Sequence, residues 1–148
     1  MTLESTVRHT PLALAFAAIA ALVLAACGGA DAAEDAGEAT ERPGVVQIDA
    51  GAAVSLLDER DDLTVIDVRT PEEFAAGHLA GAELVDIYEP AFTDEIDGLD
   101  RDASYVLYCR TGNRSGQAAA LMEDLGFAEV YDAGALDDLA GAGAAVER

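Results

Sequence analysis

The sequence predicts an α/β fold with a mainly parallel sheet. Short segments rich in β-branched residues alternate with segments that begin at helix-capping residues, which is the order of a parallel sheet with crossover helices. Two of the strand segments, 63–68 and 104–108, are almost entirely apolar, as expected of central strands covered on both faces. The length of 148 residues allows about one domain, and a hydrophobic content of 51% excludes disorder throughout.

The first elements are predicted from capping residues. Asp49 is placed to cap a helix that follows a short strand. Thr70 precedes a Pro and has Glu73 three residues later, which is a capping box, and Gly77 ends this second helix. The elements predicted here are a strand over 45–48, a helix over 50–59, a strand over 63–68, a helix from 71 to Gly77 and a strand over 83–86.

The later elements are predicted from apolar patterns. Residues 88–99 give mixed signals and predict one helix after Pro90. A helix over 115–125, ended by Gly126, has four apolar residues on one face, namely Ala118, Leu121, Met122 and Leu125. The elements predicted around these helices are a strand over 104–108, a strand over 129–131 and a weak final helix over 135–140.

The first 26 residues have the features of a secretory signal. Arg8 and the amino terminus supply positive charge, an apolar stretch follows, and small residues precede Cys27. Residues 24–27, Leu-Ala-Ala-Cys, resemble the lipobox of bacterial lipoproteins, in which cleavage leaves the Cys first and its sulfur carries a diacylglyceryl group. We therefore expect a lipoprotein signal peptide over 1–26. An uncleaved anchor and a plain secreted protein are the alternatives, because the uncharged run over 10–30 has 21 residues.

This interpretation divides the chain into three parts. After the signal peptide, residues 27–43 form a lipidated Cys and a flexible acidic tether, since no large apolar side chain offsets their ordering entropy. Residues 44–148 form the folded domain. We expect the protein in the cell envelope, outside the cytoplasm, attached to the membrane only through the lipid on Cys27.

The composition excludes several classes of protein. With 8 Lys+Arg against 29 Asp+Glu the formal net charge is −21, so there is no broad basic face for nucleic acid. Two Cys are too few for a disulfide framework, and two Cys with two His do not make up a clustered zinc site. We expect no metal, no cofactor and a monomer.

The residues that carry chemistry are concentrated at Cys109. This Cys follows a predicted buried strand and precedes a helix, whose N-terminal N–H groups and dipole favour a thiolate. Arg110 and Arg114 in the same loop favour the thiolate too. Gly112 and Asn113 tolerate the tight backbone that aims several N–H groups at one anion. The alternative is that Cys109 is a small buried core residue.

Two separate motifs resemble those of rhodanese domains. The first is Ile-Asp-Val-Arg-Thr-Pro-Glu-Glu-Phe over 66–74, followed by Gly-His-Leu-Ala-Gly-Ala over 77–82; the second is a Cys, a Gly-containing turn and an Arg over 109–114. The resemblance extends roughly over 45–140. It implies a five-stranded parallel sheet between helices. It also implies a Cys that takes sulfane sulfur from a donor such as thiosulfate and passes it to a thiophilic acceptor.

The resemblance implies roles for the loop residues by position. Cys109 would attack the outer sulfur of the donor and carry it as a persulfide. The anion would be held by the backbone N–H groups of the following residues, which are Arg110, Thr111, Gly112, Asn113 and Arg114. The side chain of Arg110 would orient the sulfonate end of the donor. Arg114 would brace the loop against Asp67 or Glu73.

Supporting roles are expected nearby. Asp67 and Arg69, at the end of a central strand, either support the site or form an ordinary ion pair, and Glu73 at least caps its helix. His78 is expected to be a packing and turn residue. The sequence departs from the family near its end, where Leu139 stands in place of a usual Trp. We expect weaker packing of the last helix there.

Three functions remain open at this point. The first is a sulfurtransferase with a small-molecule donor and a thiophilic acceptor. The second is a carrier or anion-sensing module that serves a partner protein without useful turnover. The third is a phosphatase or arsenate reductase, but the loops of those enzymes resemble Cys, five residues and Arg. Only four residues separate Cys109 from Arg114 here.

Overall fold

A five-stranded parallel sheet forms the centre of the described chain, which comprises residues 43–148 of a computed structural model. The predicted signal peptide over 1–26, Cys27 and the tether up to residue 42 lie outside the described residues. The strands are β1 Gly44–Gln47, β2 Leu63–Asp67, β3 His78–Leu79, β4 Glu83–Leu84, β5 Ser104–Cys109, β6 Glu129–Ala135 and β7 Val146–Glu147. The helices are α1 Ala50–Glu59, α2 Pro71–Ala76, α3 Phe92–Asp97, α4 Asn113–Asp124 and α5 Leu136–Ala142.

The strand order of the main sheet is β1-β6-β5-β2-β4, and its four pairings are parallel. β5 lies in the middle, and all six of its residues are buried. The predicted five-stranded α/β fold is therefore confirmed. A separate antiparallel pair joins β3 to β7, with His78 opposite Glu147.

Two apolar clusters cover the two faces of the sheet. Side chains alternate along β5, so Tyr105, Leu107 and Cys109 enter one cluster, whereas Val106 and Tyr108 enter the other. The first cluster is filled by helix residues Phe92, Ile96, Ala118, Ala119 and Met122, and the second by Ala53, Leu136 and Leu139. The apolar face predicted for α4 therefore packs on the core. Leu139, which we expected to pack less firmly than an aromatic residue, is fully buried.

The first two helices begin at the predicted caps. The carboxylate of Asp49 accepts the N–H of Ala52 at 2.9 Å. The Thr70 hydroxyl accepts the N–H of Glu73 at 3.4 Å, while the Glu73 carboxylate accepts the N–H of Thr70 at 3.2 Å. The capping box predicted for α2 is thus confirmed, and the helix ends before Gly77 as expected.

The single helix predicted after Pro90 within residues 88–99 is confirmed, and it is α3, Phe92–Asp97. A turn precedes α3, because the Asp86 carboxylate accepts the N–H of Tyr88 at 3.0 Å and the Asp86 carbonyl accepts that of Glu89 at 3.0 Å. The helix therefore begins only at Phe92, whose side chain is buried in the core.

Other element boundaries also differ from the prediction. α4 begins at Asn113, two residues early, because Gly112 adopts a left-handed conformation and takes the N-cap position. β6 continues to Ala135 because β5 pairs with it as far as Cys109 opposite Ala135. β2 and β4 end one or two residues early, and α5 covers 136–142. No helix within residues 43–148 has both the length and the apolar character needed to cross a membrane.

An ionic network closes the end of the sheet opposite Cys109. Glu129, at the start of β6, accepts hydrogen bonds from the Ser104 hydroxyl at 2.5 Å, the Tyr131 hydroxyl at 2.7 Å and the guanidinium of Arg60. Arg60, together with these hydroxyls, outweighs partial burial and lowers the pKa of Glu129 from 4.5 to about 2. The network joins the starts of β5 and β6 and contributes to stability.

We expect Glu129→Gln to lower the free energy of unfolding by about 1–3 kcal/mol at pH 7, because the amide cannot replace a carboxylate beside Arg60. The native pKa of Glu129 lies below its usual value, so its contribution is present above pH 4.5 and is lost as pH falls towards 2. Urea unfolding of the wild type and of Glu129→Gln between pH 7 and 2 measures the two free energies of unfolding. The difference between these free energies should shrink as pH falls from 4.5 towards 2, and a difference that stays constant would contradict the role of Glu129.

Candidate active site

Cys109 is the last residue of β5, and its side chain is wholly buried. The chain then turns through Arg110, Thr111 and Gly112 into the first turn of α4. The N–H of Gly112 points at the Cys109 sulfur at a distance of 3.1 Å. The loop therefore aims a backbone donor at the sulfur atom, which is the kind of arrangement that favours an anion.

The surroundings of Cys109 favour its thiolate. Burial raises the pKa of the thiol, but hydrogen bonds from the N–H groups of Ser115, Thr111 and Gly112, and from the Ser115 hydroxyl, outweigh it. The net result is a pKa for Cys109 below the usual value. A thiolate is the nucleophilic form of Cys, so the geometry prepares Cys109 to act as a nucleophile.

The backbone conformation of the loop favours glycine at position 112. Its φ is +87°, a left-handed conformation that residues other than Gly rarely adopt. A Cβ at this position would lie 3.5 Å from the Cα of Gly134, which is an ordinary contact, so the conformation and not the available space selects glycine.

Arg114 holds the loop against α2. Its two terminal nitrogens donate to the two carboxylate oxygens of Glu73 at 2.6 and 2.8 Å. Arg114 is the main cause, against opposing burial, of a Glu73 pKa lowered from 4.5 to about 2. Of the two partners expected from the sequence, Glu73 is the one in contact. Arg110 is 71% exposed, with its Nε 3.7 Å from the same carboxylate.

Asp67 and Arg69 form a buried pair behind the site. The Asp67 carboxylate accepts hydrogen bonds from Arg69 at 2.6 to 2.9 Å, and Arg69 also donates to the Gly77 carbonyl at 2.7 Å. Arg69 lies over the ring of Tyr108, 5.6 Å from its centroid. Tyr108 precedes Cys109, so the pair supports the nucleophile's strand.

His78 is a packing residue here, as expected. Its ring stacks on Phe74 with centroids 3.7 Å apart, and Nδ1 lies 3.0 Å from the Phe74 carbonyl. Its Nε2 lies 3.4 Å from Glu147 of β7. The ring therefore joins α2 to the β3–β7 pair.

A cavity of about 340 Å³ opens beside the loop. Its lining residues are Thr70, Glu73, Tyr88, Arg110, Thr111, Asn113 and Arg114. Thr70, Tyr88 and Ser115 were not predicted as site residues. Ser115 could have been found from its place at the start of the helix, whereas Tyr88 comes from a distant loop with no sequence signal. Within residues 43–148 no cluster of three or more His, Cys, Asp or Glu could hold a metal ion.

Comparison with known families agrees with this geometry. The model of the rhodanese-like domain matches residues 49–134, which is more than half of the chain. The chain belongs to the rhodanese-like family. The matched segment contains both motifs recognised in the sequence, including the rhodanese-type loop that begins at Cys109.

Curated relatives of this rhodanese-like chain are named thiosulfate sulfurtransferase GlpE. The protein from Pseudomonas putida F1 is 40% identical over 75 residues, which cover 51% of this chain and 66% of the relative. The protein from Pseudomonas aeruginosa PAO1 is 42% identical over 67 residues, covering 45% of this chain and 59% of the relative. The chain therefore spans less than two thirds of the length of each.

Solved structures support the same fold. The rhodanese-like domain of the Alr3790 protein from Anabaena has a TM-score of 0.61 at 26% identity, covering 68% of this chain and 77% of that one. A rhodanese-related protein from Thermoplasma volcanium has a TM-score of 0.59 at 28% identity, covering 68% and 96%.

We expect Ser115→Ala to raise the pKa of Cys109, because the variant loses a hydroxyl that helps to lower this pKa and that donates to the Gly112 carbonyl of the loop at 3.1 Å. The rate at which iodoacetamide alkylates Cys109 near pH 7 should fall about three- to tenfold, since the thiolate is the reactive form. The measurement is alkylation against pH, with modification mapped to Cys109 by mass spectrometry. Ser104→Ala removes an equally buried hydroxyl at the far end of β5 and serves as the control. If the pH profile of Cys109 alkylation is the same in Ser115→Ala as in the wild type, the proposed effect of Ser115 on the Cys109 pKa is wrong.

Proposed function

We propose that this protein is a sulfurtransferase that moves sulfane sulfur from thiosulfate, or a similar donor, to a thiophilic acceptor. The observation that carries the proposal is the Cys109 sulfur, buried in a cradle of N–H donors and with a lowered pKa. The activity named for the Pseudomonas relatives is the same chemistry, and it is transferred here as part of the proposal.

In the first step the thiolate of Cys109 attacks the outer sulfur of thiosulfate. A bond forms between the Cys109 sulfur and that atom, the bond between the two sulfurs of thiosulfate breaks, and sulfite leaves with the bonding electrons. The product is a persulfide anion on Cys109. The N–H groups that lower the pKa of Cys109 also stabilise this anion, because they are already oriented before the charge moves.

In the second step an acceptor such as cyanide attacks the terminal sulfur of the persulfide. The bond to the Cys109 sulfur breaks, thiocyanate leaves, and the thiolate is restored. No general base is needed, since the loop itself favours the ionised thiol.

The exposed guanidinium of Arg110 is suited to the sulfonate end of the donor. Arg110 lines the cavity, and its Nε lies 3.7 Å from a carboxylate oxygen of Glu73. That carboxylate is already hydrogen bonded to Arg114. Arg110 therefore keeps donors free for an anion. Four residues between Cys109 and Arg114 make a tighter ring than the loop of the related phosphatases, which suits a single sulfur atom.

The persulfide itself is the decisive test. Thiosulfate should add one sulfur atom to the peptide that contains Cys109 in the full chain, and cyanide should then remove it as thiocyanate. Mass spectrometry of the peptides and a colorimetric thiocyanate assay measure the two steps. Cys109→Ser should lose both.

Two results would change the assignment. If the wild-type chain gains no sulfur, the sulfurtransferase proposal is wrong. The persulfide could instead form while cyanide and thiols remove its sulfur only once, with no repeated turnover. In that case the protein is a sulfur carrier for a partner.

We also propose that the enzyme is exported and lipid-anchored in the cell envelope. The support is the order of a charged start, an apolar stretch and the Leu-Ala-Ala-Cys segment ending at Cys27, followed by an acidic stretch without large apolar residues. The tether over 27–43 would separate the folded domain from the membrane by on the order of 20–25 Å.

Expression of the full chain in a bacterial host tests the anchor. We expect an alkyne-labelled fatty acid to be incorporated, with the protein in the membrane fraction, because Cys27 provides the sulfur for the lipid. Cys27→Ser should lose the label and Cys109→Ser should keep it. A Cys27→Ser protein that stays in the membrane fraction would favour an uncleaved anchor instead, and an unlabelled wild-type protein in the medium would favour simple secretion.

A further inference from the structure

Tyr88 lies at the mouth of the active-site cavity with most of its side chain exposed. It is 70% exposed, and it lines the cavity together with Arg110 and Arg114. We propose that Tyr88 is a specificity-determining residue, an aromatic platform that binds the apolar substituent of an organic sulfur donor. This inference rests on the proposed sulfur transfer and adds the class of donor that the site favours.

The backbone of Tyr88 is held in place, so its exposed side chain is presented at a fixed point. The N–H of Tyr88 donates to the Asp86 carboxylate at 3.0 Å, and the preceding Ile87 packs against the core. On the other side the chain passes into α3, where Phe92 is buried. An ordered backbone on both sides reduces the entropy that would be lost when a ligand stacks on the ring.

One face of the Tyr88 ring is already occupied. The guanidinium carbon of Arg114 lies 5.7 Å from the ring centroid, within the range of a cation–π contact. Glu73 holds the same guanidinium with two hydrogen bonds, so Arg114 is positioned without Tyr88. The ring is therefore not needed to hold the loop, and its exposed area is available to a ligand.

The chemistry of the site places an organic substituent near this ring. The Cys109 sulfur is wholly buried, and the residues that follow it in the loop, Arg110 and Thr111, line the cavity. A donor that reaches Cys109 from this cavity would place its reacting sulfur inside and the rest of the molecule outside. For a thiosulfonate anion, attack by Cys109 forms the persulfide and releases a sulfinate with the bonding electrons. The sulfonyl oxygens would face Arg110, and the substituent on the sulfonyl sulfur would then lie at the cavity mouth, where Tyr88 stands.

Two donors with the same reacting group test the platform. Benzenethiosulfonate and methanethiosulfonate differ only in the substituent, so the ratio of their kcat/KM values measures what the ring contributes. We expect this ratio to fall about three- to tenfold in Tyr88→Ala, the range of an aromatic stacking contact. Tyr88→Phe keeps the ring and should restore the ratio.

Val146→Ala supplies the matched control, because Val146 is an exposed apolar residue on β7 outside this cavity. Its ratio should equal that of the wild type. A ratio unchanged in Tyr88→Ala would overturn the proposal. An equal loss of kcat/KM for both donors would overturn it too, because Tyr88 would then act on the shared reacting group through Arg114 and not on the substituent.

Alkylation gives a reading that needs no sulfur transfer. N-phenyliodoacetamide should alkylate Cys109 with an advantage over iodoacetamide that shrinks in Tyr88→Ala and returns in Tyr88→Phe. If thiosulfate adds no sulfur to the wild-type chain, the proposed function fails while this comparison still decides the platform. If the phenyl preference is the same in all three proteins, the platform fails while the sulfurtransferase stands.

Discussion

The bidentate ion pair between Glu73 and Arg114 holds together the two segments that build the active site. Glu73 belongs to the capping box of α2, where it also accepts the N–H of Thr70, and Arg114 lies in the first turn of α4 after the Cys109 loop. One carboxylate thus fixes a helix start and the nucleophile's loop at once. With a pKa of about 2 it stays ionised at any ordinary pH, so the connection does not loosen in mild acid.

The same pair is relevant to the binding of the proposed anionic donor by a protein with a net charge of −21. At ordinary salt, charges beyond about 8–10 Å are largely screened, so only groups near the cavity matter to a bound donor. Among the side chains that line the cavity, Glu73 contributes one negative charge and Arg110 and Arg114 contribute two positive ones, so the lining carries one net positive charge. The N–H groups around Cys109 add partial positive charge without any titratable group.

Features encoded by neighbouring residues could be predicted from the sequence, and features created by distant contacts could not. The Asp49 cap, the Thr70 capping box and the loop after Cys109 each depend on a few adjacent residues, so their chemistry is visible in the chain. The pairing of β3 with β7 joins two-residue strands far apart in sequence, and its hydrogen bonds form only after the core places them together. Tyr88 could not be predicted for the same reason, because it lines the cavity with Glu73 and Arg114, which are distant from it in the sequence.

Burial of Cys109 reconciles a reactive thiolate with the proposed location outside the cytoplasm. A thiol with a lowered pKa is readily oxidised when it is exposed, and exported proteins meet oxidants. Here the sulfur is fully buried below the loop, and no second Cys lies within residues 43–148 to form a disulfide with it. The loop that lowers the pKa of Cys109 therefore also covers its sulfur, so activation and protection of the thiol have the same structural cause.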